Sequence, residues 1–310
     1  MKTLVTGGAG FIGSNLVDAL LARGDQVTVL DDLSTGRRVN LDGALAAGAR
    51  LAEVDIRDAA AVGAVLAESR PELVFHLAAQ IDVRKSVEDP AFDAAVNVGG
   101  TANVLEAARA SGVGRVIFIS TGGALYGEGE GKQLPLPEST EIAPLSGYGQ
   151  SKWAAEGYLG LYERLHGLSG MSLRLGNVYG PRQDPLGEAG VVAIFCGLVK
   201  SGGLPTVYGD GTQTRDYVYV GDVVAAALAA GGSRRAGAVN IGTGREASVL
   251  ELVEILAGLS GRGDFAPRFA PARAGEVQRI ALDASRAEAE LDWAPRTSLE
   301  DGLAQTLAAV

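Results

Sequence analysis

The sequence is poor in the residues that build disulfides and metal sites. Its 310 residues include one cysteine, Cys196, and two histidines, His76 and His166. One cysteine excludes an internal disulfide or a thiolate metal cluster, and two histidines are too few for a typical histidine metal site. Cys196 lies in the apolar run VVAIFCGLV, so we interpret it as a buried structural thiol. We therefore predict that the protein binds no metal.

Positive charge and long apolar runs are also scarce. The chain has 27 Lys and Arg against 37 Asp and Glu, a formal net charge of −10. This argues against a nucleic-acid partner, whose phosphates require a basic surface, but not against a small anionic ligand held by a few arginines. No run approaches the ~20 apolar residues of a membrane span, and glycines interrupt the N-terminal MKTLVTGGAGFIG before any signal core. We predict a cytoplasmic protein with no membrane partner.

Glycine, by contrast, is abundant, and strand and helix patterns alternate regularly. The 44 glycines are about twice the usual ~7% share of a globular protein. Short apolar segments rich in β-branched residues predict strands buried on both faces, with helices between them. The predicted strands are 2–6, 26–31, 49–55, 72–78, 115–120 and 171–180, and the predicted helices include 11–23, 58–69, 93–111 and 148–167. This alternation predicts an α/β fold, a Rossmann-type doubly wound parallel sheet with helices on both faces.

A glycine-rich turn separates the first predicted strand from the first helix. In TGGAGFIGSNL, Gly8, Gly10 and Gly13 match G-x-G-x-x-G, and Gly7 extends the pattern. Such a turn lets the backbone approach a pyrophosphate closely and aims a helix N-terminus at its charge. Asp31 follows Gly13 by eighteen positions, where a carboxylate accepts hydrogen bonds from both ribose hydroxyls. Because that carboxylate repels a 2′-phosphate, we predict NAD rather than NADP as the cofactor.

The second half of the chain is less regular and is richer in Gly and Pro punctuation. We predict an NAD-binding domain over residues 1–176 and a smaller C-terminal α/β domain, formed by 177–211 and 241–310, that binds the substrate. The segment 212–240 includes TRDYVYVGDVVAAALAAGG, which has the pattern of a strand and a helix. We expect this segment to return to the first domain.

Further candidate residues lie at the ends of strands and on helices. Asp55 and Ile56 end the third predicted strand, where an adenine ring would be gripped. Asn97 lies inside a predicted helix, where it either faces solvent or supports the site. Tyr148 and Lys152 are four positions apart in SGYGQSKWAAEGY and so share one face of a helix. Such a pair most often marks an amphipathic surface, and its spacing alone assigns it no function.

Several motifs together resemble those of a known family. TGGAGFIG, FHLAA, YGQSK, NVYGPR and GDGTQTRDYVYVGD jointly resemble an extended short-chain dehydrogenase/reductase. More narrowly, they resemble a nucleotide-sugar C4 epimerase of the UDP-glucose 4-epimerase type. The similarity extends from Met1 to LDW at 291–293, and the motifs are specific as a set although each is weak alone.

The resemblance implies that Tyr148 and Lys152 are catalytic. A phenol with a pKa near ~10 is a poor base at neutral pH, but a neighbouring ammonium and the positive nicotinamide ring favour the phenolate. Tyr148 would take the proton of the sugar C4 hydroxyl while NAD takes the C4 hydride. The 4-keto sugar would then turn over and receive both on its other face, so that C4 is inverted and the tightly bound NAD is regenerated.

One departure from the family pattern lies in STGGALYG, residues 120–127. Gly122 occupies the place where many relatives carry the serine or threonine that bonds to the reacting hydroxyl. We therefore predict that Thr121 takes this role and that Ser120 supports the nicotinamide. Related dehydratases and decarboxylases carry acidic residues here, whereas Gly122 and Gly123 cannot transfer a proton, which favours epimerisation.

The resemblance also implies a nucleotide-sugar site. Asn177 and Arg215 match family residues that contact the diphosphate, and Arg273 and Glu276 match a pair that binds phosphate and ribose. The apolar run 191–195, which includes Val192, would wall in the uracil.

The complete predicted site has three parts. The catalytic residues are Tyr148, Lys152 and Thr121. The cofactor-binding residues are Gly7, Gly10, Phe11, Ile12, Gly13, Asp31, Asp32, Asp55, Ile56, Leu77, Ala78, Ala79, Asn97, Ser120, Tyr148 and Lys152. The substrate-binding residues are Thr121, Gly122, Gly123, Tyr148, Asn177, Val192, Arg215, Arg273 and Glu276.

The sugar and two competing functions stay open on the sequence alone. A UDP-glucose/UDP-galactose pair, a UDP-glucuronate/UDP-galacturonate pair and an N-acetylated sugar all suit the motifs, and the small Gly122–Gly123 pair leaves room for a C6 carboxylate. The competing functions are a net NAD-dependent oxidoreductase acting on a nucleotide sugar and a non-catalytic NAD-sensing regulator. The resemblance further implies a homodimer packed through the helices near 93–111 and 148–167.

Overall fold

The computed structural model describes residues 1–129, 131–185, 190–272 and 277–310. These residues form the strands β1 Lys2–Thr6, β2 Gln26–Asp31, β3 Arg50–Glu53, β4 Leu73–His76, β5 Arg115–Thr121, β6 Ser169–Leu175, β7 Asn177–Tyr179, β8 Thr206–Tyr208, β9 Thr214–Arg215, β10 Tyr217–Tyr219, β11 Gly237–Ile241, β12 Ala247–Ser248 and β13 Arg268–Ala270. The helices are α1 Phe11–Ala22, α2 Asp42–Ala46, α3 Ala59–Ser69, α4 Val83–Glu88, α5 Pro90–Ala94, α6 Thr101–Ala110, α7 Gly122–Leu125, α8 Gly147–His166, α9 Val191–Ser201, α10 Val220–Gly232, α11 Val249–Ser260, α12 Ser285–Leu291 and α13 Leu299–Ala309. A 3-10 turn covers Arg38–Leu41 and a π-helical segment covers Ala95–Gly100.

One parallel sheet organises the molecule. It contains seven strands in the order β11-β6-β5-β4-β1-β2-β3. β1 pairs with β2 on one side and with β4 on the other, so Thr6 stands opposite Leu30 and His76. Because the order of the strands reverses between β1 and β4, a crevice opens there outside the carboxyl ends of the strands. The predicted Rossmann-type fold class is confirmed.

Helices cover both faces of this sheet, as its strand sequences require. Every residue of β4 is buried, and β5 is buried along six of its seven residues. On one face, Leu16 of α1 and Val223 of α10 belong to the same core cluster. On the other face, α3, α6 and α8 contribute Leu66, Leu105 and Leu159 to a second cluster. Strands covered on both sides are apolar almost throughout, which explains why their sequences show no alternation.

The predicted helix over 93–111 has a more complex form in the structure. It begins earlier, as α5, and passes through the π-helical segment before it continues as α6. Such short π-helical insertions occur frequently at functional sites. In this protein the insertion contains Asn97, one of the predicted site residues, which is only 2% exposed.

The predicted strand over 171–180 breaks into β6 and β7. The Gly176 N–H donates to the Ile241 carbonyl at 2.9 Å, and the Asn177 N–H donates to the Asp216 carbonyl at 2.7 Å. The chain therefore leaves its pairing with β11 and joins β10 within two residues. A Cβ at Gly176 would lie 2.8 Å from the Asp216 carbonyl oxygen, so this crossing requires glycine.

A second core lies beside the sheet, and we call the elements around it the smaller lobe. It consists of α9, α11, α13 and the β8–β13 pair, packed around Phe195, Val207 and Leu252. The core of the sheet also includes Trp293, which lies beyond the segment predicted to return to the first domain. The predicted boundaries of the two domains, at residues 176, 211 and 240, stay a prediction. Within the described ranges, no helix combines the length and the apolar character needed to cross a bilayer.

Candidate active site

The glycine-rich turn after β1 is shaped by close backbone contacts. Gly7 has a φ of +66°, and a Cβ there would lie 2.6 Å from the Ala78 nitrogen. A Cβ at Gly13 would overlap the Gly7 carbonyl oxygen. Gly10 precedes the first residue of α1, and in the described part of the chain no side chain caps this helix end. The Gly7 and Gly10 N–H groups donate within the turn, to the Leu30 and Gly7 carbonyls. The uncapped first turn of α1, which begins at Phe11 and includes Gly13, offers N–H groups that suit a pyrophosphate.

Asp31, at the end of β2, is tied to this turn. Its two carboxylate oxygens accept hydrogen bonds from the Ala9 and Leu33 N–H groups, each at 2.9 Å. Burial raises the pKa of Asp31, and the two backbone hydrogen bonds oppose that increase. Each oxygen retains a lone pair, so the carboxylate can both fix the turn and accept from a ribose hydroxyl. Asp32 is exposed instead and accepts from Ser34.

Asp55 and Ile56, the predicted adenine-binding residues after β3, both make contacts within the protein. Asp55 pairs with Arg57 at 2.5 Å, and this hydrogen bond holds the pKa of Asp55 below its usual range. The Ile56 side chain is 5% exposed and packs against Gly100, while its carbonyl accepts from Asn103. The Ile56 side chain therefore supports the edge from beneath.

A chain of buried hydroxyls and imidazole fixes the loop after β4. The Leu77 and Ala78 N–H groups both donate to Thr6 Oγ1 at 3.1 Å. Thr6 bonds to His76 Nδ1 at 2.6 Å, and His76 Nε2 bonds to Thr101 Oγ1 at 2.9 Å. Because Thr101 donates its proton to a backbone carbonyl one turn earlier, Nε2 must donate and Nδ1 must accept. Burial, helped by the charge of Lys152, lowers the pKa of His76 to about 3, which agrees with this neutral tautomer.

Asn97 joins this loop to α8. Asp93, which the sequence analysis did not single out, takes part in the same hydrogen-bond network. The Asn97 amide oxygen accepts from the Gln80 N–H at 2.8 Å, and its amide nitrogen lies 2.9 Å from the Gln80 carbonyl. The same nitrogen lies 3.0 Å from Ser151 Oγ and 3.1 Å from Asp93 Oδ1. Leu77, Ala78 and Ala79 therefore follow a path that is held at both ends. The i,i+4 spacing of Asp93 and Asn97 was the available sequence signal.

Tyr148 and Lys152 lie in the first two turns of α8, next to the end of β5. Burial raises the pKa of Tyr148, the charge of Asp93 adds to that increase, and the Thr121 hydroxyl opposes it. Lys152 is 3% exposed, and its ammonium donates to the Ile119 carbonyl at 2.6 Å. Burial lowers the pKa of Lys152 to about 8. The predicted pair and its predicted hydroxyl partner are therefore brought together.

The end of β5 leaves one polar atom without a partner. Ser120 is 2% exposed, and its hydroxyl is one of two buried side-chain atoms in the described residues that lack a hydrogen bond. An orphaned buried hydroxyl beside Tyr148 and Lys152 is a group that a bound ligand can satisfy. With the glycine cradle and Asp31, it fits a dinucleotide extended across the crevice.

The substrate side of the crevice is closed by an apolar side chain. A Cβ at Gly122 would overlap Leu282 Cδ1, so Leu282 fills the place where relatives carry a hydroxyl side chain. A Cβ at Gly123 would lie 3.5 Å from Asn177 Oδ1 and 3.9 Å from Thr121 Oγ1. Gly123 thus opens the floor of the crevice between two neutral polar groups. Leu282 carried no sequence signal, because it is 160 positions away.

The remaining predicted substrate residues are not all placed alike. Asn177 and Arg215 are half-buried, and the Arg215 guanidinium donates to the Thr214 carbonyl at 2.8 Å. Val192 is 1% exposed and belongs to the core of the smaller lobe. Its predicted place in a wall around the uracil stays a prediction. Arg273 and Glu276 lie outside the described residues.

The chain matches a family described as the NAD dependent epimerase/dehydratase family over residues 3–242. It belongs to that family. It is 48% identical over 309 residues, 99% of this chain and 97% of the relative, to a UDP-glucose 4-epimerase of Mycolicibacterium smegmatis. The cofactor of this family member is NAD, in agreement with the cradle and the orphaned hydroxyl.

Two solved structures are similar to this family member over nearly their whole length. The UDP-glucose 4-epimerase of Thermotoga maritima with UDP-glucose has a TM-score of 0.95 and 45% identity, covering 100% of this chain and 98% of that one. The Thermus thermophilus UDP-glucose 4-epimerase complex with NAD has a TM-score of 0.91 and 44% identity, with the same coverage. In the described residues, no group of three or more His, Cys, Asp and Glu side chains is placed to hold a metal ion.

Proposed function

We propose that this chain interconverts UDP-glucose and UDP-galactose by NAD-dependent inversion at C4 of the hexose. The observation that carries the proposal is Lys152, buried at the end of β5 one turn after Tyr148 on α8, where its ammonium donates to the Ile119 carbonyl at 2.6 Å. The near-full-length relatives named UDP-glucose 4-epimerases support the same reaction.

Tyr148 acts as the base and then as the acid at the C4 hydroxyl. Its pKa lies above its ordinary value because the phenol is buried, so the free protein holds it protonated at neutral pH. Positive charge must therefore lower that pKa during the reaction. Lys152 supplies part of this charge when its ammonium is drawn toward the crevice. NAD, when bound, supplies a hydride acceptor and donor at C4 and a second positive charge.

Thr121 bonds to the reacting oxygen in place of the side chain absent at residue 122. Its hydroxyl lowers the pKa of Tyr148 in the free protein, and one hydroxyl can receive from or donate to both the phenol and the sugar. Neither Gly122 nor Gly123 can run an elimination or a decarboxylation after oxidation. Return of the hydride to the other face of the sugar is then the available outcome.

A neutral hexose is the preferred substrate. Room for a C6 carboxylate beside Gly122 is taken by the apolar Leu282, and Gly123 faces the amide of Asn177. Burying a carboxylate against a leucine without a cationic partner is costly, whereas a hydroxymethyl group needs one or two hydrogen bonds. Asn177 and Arg215 would hold the diphosphate, and Arg273 and Glu276 are proposed to complete the nucleotide site.

A homodimer is part of the proposal. α8 exposes Tyr158, Leu161 and Leu165 at helical spacing, with exposed fractions of 39%, 36% and 65%, and Trp153 is 44% exposed on the same helix. Apolar side chains grouped on one helix are more typical of a subunit interface than of a solvated surface. Val87 of neighbouring α4 extends the group with 64% exposure. Light scattering of the purified protein should give twice the chain mass, and Leu161→Asp should halve it.

Proton NMR of the purified protein tests the reaction directly. The protein is incubated separately with UDP-glucose and UDP-glucuronate, without added nicotinamide. Conversion of UDP-glucose to the galacto epimer, faster than any change of UDP-glucuronate, is the expected result. No conversion until stoichiometric NAD is added, with NADH accumulating, would replace the epimerase by a net dehydrogenase. Faster conversion of UDP-glucuronate would overturn the choice of a neutral hexose.

A further inference from the structure

Resting on the function proposed above, we propose that Asp93 is a positioning residue whose buried charge balances Lys152 and sets the pH range in which Tyr148 acts. Asp93 belongs to α5, which packs against α8. It is 1% exposed. A carboxylate this deeply buried is rare in proteins unless it is paired or has a function.

The hydrogen bonds of Asp93 come from neutral groups. Its Oδ1 accepts from Gln80 Nε2 at 2.9 Å and from Asn97 Nδ2 at 3.1 Å. Among the described residues, no lysine or arginine forms an ion pair with it. The two amide donors satisfy Oδ1 but bring no positive charge to it. Asn97, which donates to Asp93, also contacts Ser151, the residue before Lys152. Asp93 is therefore linked through one side chain to the helix that carries Tyr148 and Lys152.

The charge of Asp93 acts on both catalytic groups of α8, with opposite consequences for their function. It raises the pKa of Lys152, opposing the larger effect of burial, and so helps to keep the ammonium charged. It also raises the pKa of Tyr148, which delays formation of the phenolate. One buried carboxylate therefore moves both titrations toward higher pH.

The other titratable groups around this pair are accounted for by different contacts. Glu156, one turn beyond Lys152 on α8, also raises the pKa of Lys152 but is paired with Arg174 at 2.7 Å. On β4, His76 is neutral, as its low pKa requires. On α4, Lys85 is exposed, and its ammonium lies 4.5 Å from the Phe92 ring centroid. Asp93 is thus a buried carboxylate, on the helix packed against α8, whose charge raises the pKa of Tyr148.

Asp93→Asn tests this assignment because it removes the charge and keeps the Oδ1 acceptor for Gln80 and Asn97. The pH dependence of kcat/KM for UDP-galactose is measured from pH 5 to 10 with the NAD-loaded full-length protein. Both limbs of the profile are expected to move to lower pH, by roughly half to one pH unit. A purely structural role would lower the rate at every pH and leave both limbs in place.

Asp89→Asn is the matched control. Asp89 is exposed, precedes the same short helix and accepts from the Phe92 N–H at 3.0 Å, a bond that asparagine also makes. The substitution removes one negative charge four residues before Asp93. Because that charge is in solvent, its effect on the buried groups is strongly screened. Its limbs should stay within about 0.2 pH unit of the wild-type limbs.

Unmoved limbs in an Asp93→Asn protein with wild-type melting temperature and NAD content would overturn the inference. If that variant does not fold, Asp93→Ser, which leaves a small hydroxyl acceptor, is judged by the same shift. Failure of both variants to fold would assign Asp93 a structural role and overturn the inference as well. An inactive wild-type protein would instead refute the proposed function, so the two failures are distinguishable.

Discussion

The cofactor half and the substrate half of the crevice are built by different means. On the cofactor half, buried groups are bonded to one another: Thr6 to His76, and Asp31 to the Ala9 N–H. On the substrate half, Asn177 and Arg215 are half-buried on strands of three and two residues. The shape there is set by Leu282 packed over Gly122. A backbone cradle tolerates almost no change, whereas a side-chain wall can be repacked.

Gly13→Ala should have the most severe consequence, because it strikes the cradle where backbone meets backbone. The added Cβ overlaps the Gly7 carbonyl, which cannot move without breaking the turn. We expect loss of bound NAD and of more than about 3 kcal/mol of folding free energy, measured by absorbance and by urea unfolding. Gly63→Ala on α3 is the control, since nothing lies within 4 Å of its added Cβ. Normal NAD content in Gly13→Ala would show that the glycine-rich turn can move to accept the added Cβ and still bind NAD.

Tyr148→Phe removes the proposed proton-transfer group at the junction of the two halves. General acid–base catalysis contributes about 10²–10⁴-fold, so we expect a decrease of about 10³-fold in kcat. NAD content should not change, because the phenyl ring still fills the site. Tyr158→Phe, an exposed position on the same helix, should keep full activity. If Tyr148→Phe unfolded or lost NAD, the residue would be structural.

Lys152→Met should show that the buried ammonium of Lys152, on the cofactor half, destabilises the folded protein. The pKa of Lys152 is about 8 in the folded protein against 10.5 unperturbed, so the unfolded chain binds more protons between these values. The burial of the Lys152 ammonium therefore destabilises the folded protein most below about pH 8. This destabilisation decreases as the pH rises toward 10.5.

We expect the NAD-free Lys152→Met protein to be more stable than wild type by about 2 kcal/mol at pH 7. The difference should shrink above pH 8. Urea unfolding at pH 7 and pH 10 measures it, with exposed Lys85→Met as the control. Equal stabilities at pH 7 would mean that the Ile119 hydrogen bond fully offsets the burial of the ammonium.

Gly122→Ser should have the mildest effect, because the atom it meets is the end of a flexible side chain. Displacing Leu282 costs about 1 kcal/mol, and we expect kcat/KM to fall several-fold. Gly122→Ser combined with Leu282→Ala should recover part of that loss. If the single variant were more active than wild type, the serine would be acting as the hydroxyl that Thr121 is proposed to supply.

Local sequence patterns predict much of this protein. The sheet strands, the cradle glycines and the Tyr148–Lys152 pair follow from short-range rules, namely apolar runs, turn chemistry and helical spacing. Val192 shows where such rules stop, since an apolar helix gives no indication of which face is buried. Asp93 likewise has the pattern of an ordinary charged residue in a short helix.

The chain's own patterns determined the fold class and the glycine-rich turn, because apolar runs and turn chemistry are local signals. The catalytic role predicted for Tyr148 and Lys152 came from the family resemblance of the motifs taken together. Long-range packing decided the rest. It brought Leu282 against Gly122, joined Thr6 to His76 and Thr101, and buried Asp93 beneath α8. Burial changes what a polar group costs and whether it is charged, and burial exists only once distant segments meet.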